Sequence, residues 1–375
     1  MGVYVHIPFC RKKCPYCDFP SHAGREALFE AYKNAVICEI DKSEELSSST
    51  IDTVFFGGGA PTVLPALFLA EILARILKHN VTPDAEITVE GNPGTFNADT
   101  LKTLRGAGFN RLSVGAQAWQ DRLLKRLGRI HNSDDITRAY DAAEKAGFSN
   151  INLDLMFSLP GQTMGDWEET LRKTADLKPA HISAYSLIIE ENTEFHRLFN
   201  EGKLALPGED EDRRMYYAAS DILGHFGYRQ YEISNFSLKG RECGHNLKYW
   251  KRRPYIGFGT DSHSFYDNMR WHNTHSLETY LGYANVSEFS REEVQTVSAR
   301  DAMEETMYLG LRLNDGVTAE EFRRASGSDL FDVFGGVINR MITLGLMNRN
   351  GDRVFLTAKG RDVSNYVFSG FLLPP

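Results

Sequence analysis

The sequence predicts an α/β protein: a partial parallel (β/α)6 barrel followed by an α+β region towards the C-terminus. Three observations carry this prediction. Short β-rich runs alternate with stretches of helical periodicity through residues 1–190. Strand starts lie 25 to 50 residues apart, room enough for a helical crossover between parallel strands. The alternation stops after Ile188, and helical patterning alone resumes near Ala299.

Strands are expected at residues 3–7, 53–56, 86–89, 111–114, 150–155 and 181–186. Between the first two, Phe29, Tyr32, Val36 and Ile40 mark one face of a helix. Between the next two, Leu69, Ile72, Leu73, Ile76 and Leu77 repeat the i, i+3, i+4, i+7 pattern. Six such units fall short of the eight that close a full barrel, and their crossovers should be right-handed. An open doubly wound sheet is the competing architecture. Residues 190–290 mix aromatics and charges, with one helix expected at 210–226. Helices at 303–311, 319–325 and 330–346 then precede Gly351-Asp352 and a strand at 354–356. Helices closed by a small hairpin resemble a winged-helix unit, which binds nucleic acid in some proteins and is structural in others. The expected division is 1–190 for the barrel, 191–298 for an accessory region and 299–375 for a C-terminal domain.

With 375 residues the chain can bury a sizeable core without staples. Its 42 Lys and Arg against 50 Asp and Glu give a net charge of −8, which argues against a general duplex-binding surface. No nucleic acid partner is expected. The most apolar helical run, 66–77, carries Glu71 and Arg75, so no membrane span is expected. The first residues lack a basic segment followed by an apolar core, and His6 breaks a myristoylation pattern after Gly2. The expected location is a reducing one, the cytoplasm, where cysteines stay out of disulfides.

Five cysteines are present, and three of them, Cys10, Cys14 and Cys17, fall within eight residues. They directly follow the first predicted strand, with x3 and x2 spacing. Soft thiolates select iron–sulfur, zinc or copper(I). A 4Fe–4S cluster normally takes four thiolates, so three leave one iron open to another ligand. The competing readings are a zinc site that recruits His6 or His22, or three unrelated thiols. Arg11, Lys12 and Lys13 are expected to lower the thiol pKa values.

Cys-x3-Cys-x2-Cys with Tyr16 before the last Cys resembles the signature of the radical S-adenosylmethionine (SAM) superfamily. The stretch Tyr4-Val-His-Ile-Pro-Phe-Cys10 resembles, more narrowly, the branch holding oxygen-independent coproporphyrinogen III oxidase and the HemW-type heme chaperones. The resemblance covers essentially the whole chain. It implies a radical-SAM barrel, a 4Fe–4S cluster on Cys10, Cys14 and Cys17, and SAM on the open iron. There SAM is cleaved reductively to methionine and a 5′-deoxyadenosyl radical.

Barrel enzymes place their chemistry at the C-terminal ends of the strands, and the polar candidates fall there. By the resemblance, Gly57, Gly58 and Gly59 meet the methionyl end of SAM, although alone the triplet could be a plain turn. Ala60 stands where the family has Thr, so one hydroxyl contact is lost. Glu90 would hold the ribose hydroxyls. Gln117, Arg129 and Asp154 match further polar contacts, with Arg129 placed to pair with the SAM carboxylate. Read singly, each is equally a salt-bridge partner at the barrel mouth. Tyr4, Tyr16, Ile188 and His263 correspond to further SAM neighbours.

Two functions are expected from the branch. The oxidase carries another cysteine two residues after the last cluster cysteine, where this chain has Phe19, and an N-terminal extension, whereas Cys10 here has nine residues before it. The heme chaperones carry His-Asn-x-x-Tyr-Trp, matched by His245-Asn-Leu-Lys-Tyr249-Trp250. His245 is then the candidate axial heme ligand, with Tyr249 and Trp250 as flat apolar surface. The alternative for these residues is a packed aromatic segment. Cys243 could assist at the iron. His272 and His275 could bind metal or stand in a solvated loop, and Asp261 departs from the family's pattern before His263. The resemblance implies delivery of heme to respiratory apo-proteins, transient visits to the inner face of the membrane, and an electron donor such as flavodoxin or ferredoxin. The second function is oxidative decarboxylation of coproporphyrinogen III.

Overall fold

A computed structural model describes residues 1–283 and 291–373. All six predicted strands are present: β1 (Gly2–Ile7), β2 (Ile51–Gly58), β3 (Val81–Gly91), β4 (Arg111–Gln117), β5 (Asn150–Phe157) and β6 (His181–Ser186). They are parallel neighbours in sequence order. A doubly wound sheet would reverse its order at a switch point, so the barrel reading holds over the competing one. Apolar residues on both faces of these strands are buried, as parallel sheets covered by helices require. The helices α1 (Phe29–Lys42) and α2 (Ala66–Ile76) bury the stripes read from the sequence, Phe29, Tyr32, Val36 and Ile40 on one and Leu69, Ile72, Leu73 and Ile76 on the other, except that Leu77, just past the end of α2, is exposed.

The sheet extends beyond the six strands on both sides. Next to β1 lies β9 (Tyr255–Phe258), parallel to it from Gly2 opposite Tyr255 to Val5 opposite Phe258. Antiparallel strands β10 (His263–Tyr266), β11 (Met269–Asn273) and β12 (Arg291–Thr296) follow. Beside β6 lie the short antiparallel β8 (Asn235–Ser237) and β7 (Arg229–Gln230). The sequence reading found none of these six. They run two to six residues, and β12 is almost wholly exposed, so no apolar alternation marks them. Residues 284–290 of the expected accessory region lie outside the described residues.

The C-terminal region has its own core, with Met307, Phe322, Phe334, Met341, Val354 and Phe371 packed together. The helices Ala299–Gly310, Ala319–Ser326 and Leu330–Thr343 surround a three-stranded sheet of Val317–Thr318, Arg353–Leu356 and Met347–Asn350. This is the winged-helix-like shape expected. The helix Ala299–Gly310 opens on a capping box between Ser298 and Asp301, which satisfies two orphan amides.

One buried carboxylate ties α1 to the added strands. Glu39 accepts hydrogen bonds from the Tyr280 hydroxyl at 2.5 Å, Asn273 Nδ2 at 2.6 Å and the Gly259 amide at 2.9 Å. Burial outweighs these bonds and pushes its carboxyl up to about 7. The folded state therefore holds this proton more tightly than the unfolded chain, whose Glu titrates near 4.3. Stability from this group is complete below about pH 4 and is lost as pH rises to 7. The loss is roughly 3 kcal/mol. Glu39→Gln should flatten that part of the stability–pH curve in denaturant titrations at pH 5 and 7.5. An unchanged slope in the variant would remove Glu39 as its source.

Candidate cofactor site at the mouth of the barrel

After β1 the chain makes a short parallel pairing, Phe9–Cys10 with His22–Ala23, which closes the cysteine loop at its base. Within the loop the Cys17 amide donates to the Cys14 carbonyl at 3.1 Å. Cys10, Cys14 and Cys17 are all partly exposed and line one cavity of about 370 Å³. The same cavity is lined by Tyr16, Gly58, Gly59, Ala60, Glu90, Gln117, Arg129 and Asp154. Eight of the twelve residues expected to face SAM thus meet the three thiols in one place, at the C-terminal ends of the strands.

Two glycines are required by the packing. Gly58 has φ of 112°, and a Cβ there would lie 2.7 Å from the His6 ring. A Cβ on Gly59 would lie 2.6 Å from the Phe9 carbonyl oxygen and 3.0 Å from Cys10 Sγ. The backbone of this turn therefore runs directly beneath the cysteine loop. The Gly59 and Ala60 amides donate to the Ile7 and Phe9 carbonyls, which fixes it there.

The polar wall has a clear electrostatic pattern. Burial, with the nearby Asp154 charge, pushes the Glu90 carboxyl up to about 8. Burial also raises Asp154, against hydrogen bonds from Asn152 Nδ2 at 2.8 Å and Ser113 Oγ at 3.1 Å. Two adjacent carboxylates whose pKa values are both lifted need a ligand that supplies donors or positive charge. Arg129 Nη2 donates to the Gly115 carbonyl at 2.7 Å and to Asn92 Oδ1, while Nη1 points at Cys14 Sγ, 3.8 Å away, and the Tyr16 hydroxyl, 3.5 Å away. The guanidinium so faces the thiol loop, where it can meet an anion. Gln117 sits at a bulge with φ of 69°, a strained conformation for a non-glycine residue at the rim of a site.

The basic residues of the loop do not set the thiol pKa values as expected, because Lys13 lowers Cys10 and Cys17 but burial outweighs it. Burial raises Cys10, and it raises Cys17 to about 11. Arg11, Lys12 and Lys13 are exposed, so water screens them, and desolvation wins. The zinc alternative fits the geometry poorly. Tetrahedral thiolates at about 2.3 Å from one zinc stand roughly 3.8 Å apart. Among the described residues, the group of three ligand atoms lying within 4.8 Å of one another is Asp261, His272 and His275, not the cysteines. His6, one of the two fourth ligands considered with His22, has both nitrogens engaged, with the Tyr4 hydroxyl and the Pro20 carbonyl, each at 3.1 Å. Three thiols spread more widely than one ion would draw them suit a multi-iron cluster.

Four expected SAM neighbours do not line this cavity. Tyr4 lies deeper in the barrel, against Phe55 and His245. Gly57 packs under Glu90, 3.2 Å from Oε2 to its would-be Cβ. Ile188 is 66% exposed on a neighbouring cavity. His263 is exposed on β10 beside His272. The sequence reading passed over Asn92, Ser113, Met156 and Tyr185, which do line the site. Ser113, and Asn152 behind it, are buried polar residues on parallel strands, and that mismatch was the available signal.

The three expected heme residues separate. They form the short helix Gly244–Trp250, whose first amides, Gly244 and His245, donate to Glu86 at 3.1 and 3.0 Å. His245 is 1% exposed inside the barrel. Its Nδ1 meets Thr53 Oγ1 and its Nε2 meets the Tyr249 hydroxyl, each at 2.9 Å, and burial lowers the ring to about 3. His245 and Tyr249 therefore match the packed aromatic alternative, as the ring stacks on Phe55 at 5.2 Å. Trp250 instead lines a cavity of about 790 Å³ beside β6, which also takes in Ile188 and is walled by Arg312 and Arg361. Arg312 stacks on Trp250 at 4.4 Å. Tyr185 lines both cavities.

Comparison with known proteins is consistent along the chain. Residues 4–174 match the Radical SAM superfamily, and residues 297–363 match the HemN C-terminal domain. A heme chaperone HemW of Bacillus subtilis (strain 168) is 36% identical over 99% of both chains. That of Escherichia coli (strain K12) is 39% identical over 70% of this chain and 69% of its own. The mitochondrial radical S-adenosyl methionine domain-containing protein 1 of Danio rerio is 32% identical over 90% and 79%. Among solved structures, coproporphyrinogen III oxidase (HemN) from Escherichia coli superposes with a TM-score of 0.86 at 22% identity, over 99% of this chain and 89% of that one, which shows the same fold.

Proposed function

Because the chain belongs to the HemW heme chaperone family of the radical SAM superfamily, we propose that it binds heme and delivers it to respiratory apo-proteins. The family implies a 4Fe–4S cluster and SAM, and the site fits both. Cys10, Cys14 and Cys17 would hold the cluster. Glu90 and Asp154 would take the nucleoside, Arg129 the carboxylate of SAM, and Gly58–Gly59 its methionyl end. When bound, the pair supplies one-electron cleavage of SAM. The chain's own part is to position it and to exclude water. Residues 1–190, 191–298 and 299–375 would divide this work as barrel, accessory region and C-terminal domain. An electron donor such as flavodoxin or ferredoxin would reduce the cluster. No helix among the described residues is long and apolar enough to cross a membrane, so delivery at the inner membrane face would be by transient contact.

The large cavity beside Trp250 is the observation that carries heme binding. Asn235 Oδ1, Trp250 Nε1 and Arg312 Nε are buried around it with no hydrogen-bond partner among the described residues. Buried polar atoms without partners call for an explanation, and a ligand in the adjoining cavity supplies one. A flat macrocycle with carboxylate arms answers an indole face and guanidinium groups together. His245 would serve as axial ligand only by giving up its bond to Tyr249, so Trp250 is the first residue to test.

Trp250→Ala should weaken heme binding about 10- to 150-fold, the value of burying one large aromatic. His245→Ala, with an altered Soret band, would restore His245 as iron ligand; an unaltered band would leave it as packing. Phe19 in place of a further cysteine favours the chaperone over the oxidase. Formation of protoporphyrinogen in multiple turnovers from coproporphyrinogen III, with SAM and a reductant, would overturn the chaperone reading.

A further inference from the structure

We propose that Asp261, His272 and His275 form a second metal site, for one divalent transition ion such as Zn²⁺, at the β9–β11 edge of the sheet. One ligand atom from each of the three lies within 4.8 Å of the other two. They come from two segments. Asp261 is in the turn between β9 and β10, and His272 and His275 are at and just after the end of β11. The His272 Nδ1 bonds the Asn273 carbonyl at 2.9 Å. A carbonyl accepts only, so Nδ1 carries the proton and Nε2 is the ring's ligand atom, with the exposed Glu293 carboxylate 3.6 Å from it. That is the orienting bond a metal-ligating imidazole characteristically makes.

Asp261 is built for the same purpose. Its backbone has φ of 55°, a left-handed conformation in which glycine is the unstrained residue. The Asp261 amide donates to the Thr274 carbonyl at 3.0 Å, so the side chain is held against the histidine segment. Its buried Oδ1 has no hydrogen bond of good geometry, although it lies against His275 Nδ1. A cation held by both atoms would replace this close contact between the carboxylate and the imidazole. A third imidazole, His263, stands opposite His272 in the strand ladder, with ring centroids 5.1 Å apart.

Hydrogen bonds hold the segment between the ligands in place. Asn273, between the ligands, donates from Nδ2 to Glu39 Oε1 at 2.6 Å and to the Gly259 carbonyl at 2.9 Å. The Asn273 amide donates to the Ser262 carbonyl at 3.0 Å. Two imidazoles and a carboxylate are a borderline set that suits Zn²⁺ above Fe²⁺ in affinity. Three protein ligands leave a fourth position open, and the His275 side chain is 65% exposed, so that position faces water.

The test titrates cluster-loaded, chelator-treated protein anaerobically with Zn²⁺ by calorimetry, and with Co²⁺ by visible absorption. The expected result is one ion per chain beyond the cluster, and a tetrahedral or five-coordinate Co²⁺ spectrum. Affinity should fall at least about 100-fold in His272→Ala and in Asp261→Gly. Asp261→Gly keeps the backbone conformation, so retained iron content and circular dichroism guard against simple misfolding. The triple variant of Cys10, Cys14 and Cys17 to Ala should still bind the ion. No Zn²⁺ binding by the parent, equal binding by both site variants, or loss of binding only in the cysteine variant would each overturn the proposal.

Discussion

Alanine at any one of Cys10, Cys14 or Cys17 is expected to abolish stable cluster assembly. Iron in anaerobically reconstituted protein should fall from close to four per chain to near background. The three thiols line one cavity and no other cysteine approaches it, since Cys38 lies on α1 and Cys243 is buried beside Glu86 Oε1, 3.6 Å away. A fourth thiolate is already absent, so losing a third would leave two irons without a protein ligand. Burial also keeps Cys243 protonated, with its thiol pushed up to about 12, which removes it as a substitute. Cys38→Ala and Cys243→Ala should therefore keep the full iron content. The measurement is iron and acid-labile sulfide per chain, with the visible absorption of the cluster. Stoichiometric zinc in protein purified without oxygen, or a full iron count in any single variant of the three, would sink the assignment.

Much of the fold was legible because its strands and helices announce themselves locally. The residues 181–186 were read with the bounds that β6 shows, and Leu69 to Ile76 of α2 gave a clean helical stripe. The cysteine loop was legible for a different reason: three soft ligands at fixed spacing after a strand are seldom accidental. What could not be read was the extension of the sheet beyond β1. β9 is four residues long and pairs with β1 across some 250 residues of sequence, so no local pattern links Gly2 to Tyr255. The surroundings of the three proposed heme residues were hidden in the same way. His245 and Trp250 are five residues apart, yet one packs into the barrel against Thr53 and the other faces a cavity walled by Arg312. Sequence spacing fixed their shared helix; it carried nothing about which element each side chain would meet. The thiol pKa values were misread because charge is visible in a sequence and desolvation is not.

Glu90→Ala and Asp154→Ala are each expected to weaken SAM binding about 10- to 150-fold while leaving the cluster in place. Among the described residues, neither carboxylate makes a hydrogen bond to the cysteine loop. Glu90 receives the Gly58 amide, and Asp154 is held by Asn152 and Ser113, so their loss should not unseat the thiols. A sulfonium nucleoside brings positive charge and two ribose hydroxyls to a pair of carboxylates whose charged forms burial disfavours. Binding should therefore favour ionised Glu90, whose pKa stands at about 8 without the ligand. Below pH 8 the chain must release that proton on binding. Affinity should rise with pH, by up to tenfold per unit between about pH 6.5 and 8, and level off above. The sign follows from the charged form being the better acceptor. Glu90→Gln should bind weakly and lose this pH dependence, whereas Asp154→Ala should shift it downward, because the neighbouring charge that raises Glu90 is gone. Equilibrium dialysis with cluster-loaded protein at several pH values reads all of these. If both alanine variants bind as tightly as the parent, the nucleoside lies elsewhere; if affinity in the parent is flat from pH 6.5 to 8, Glu90 does not carry the contact.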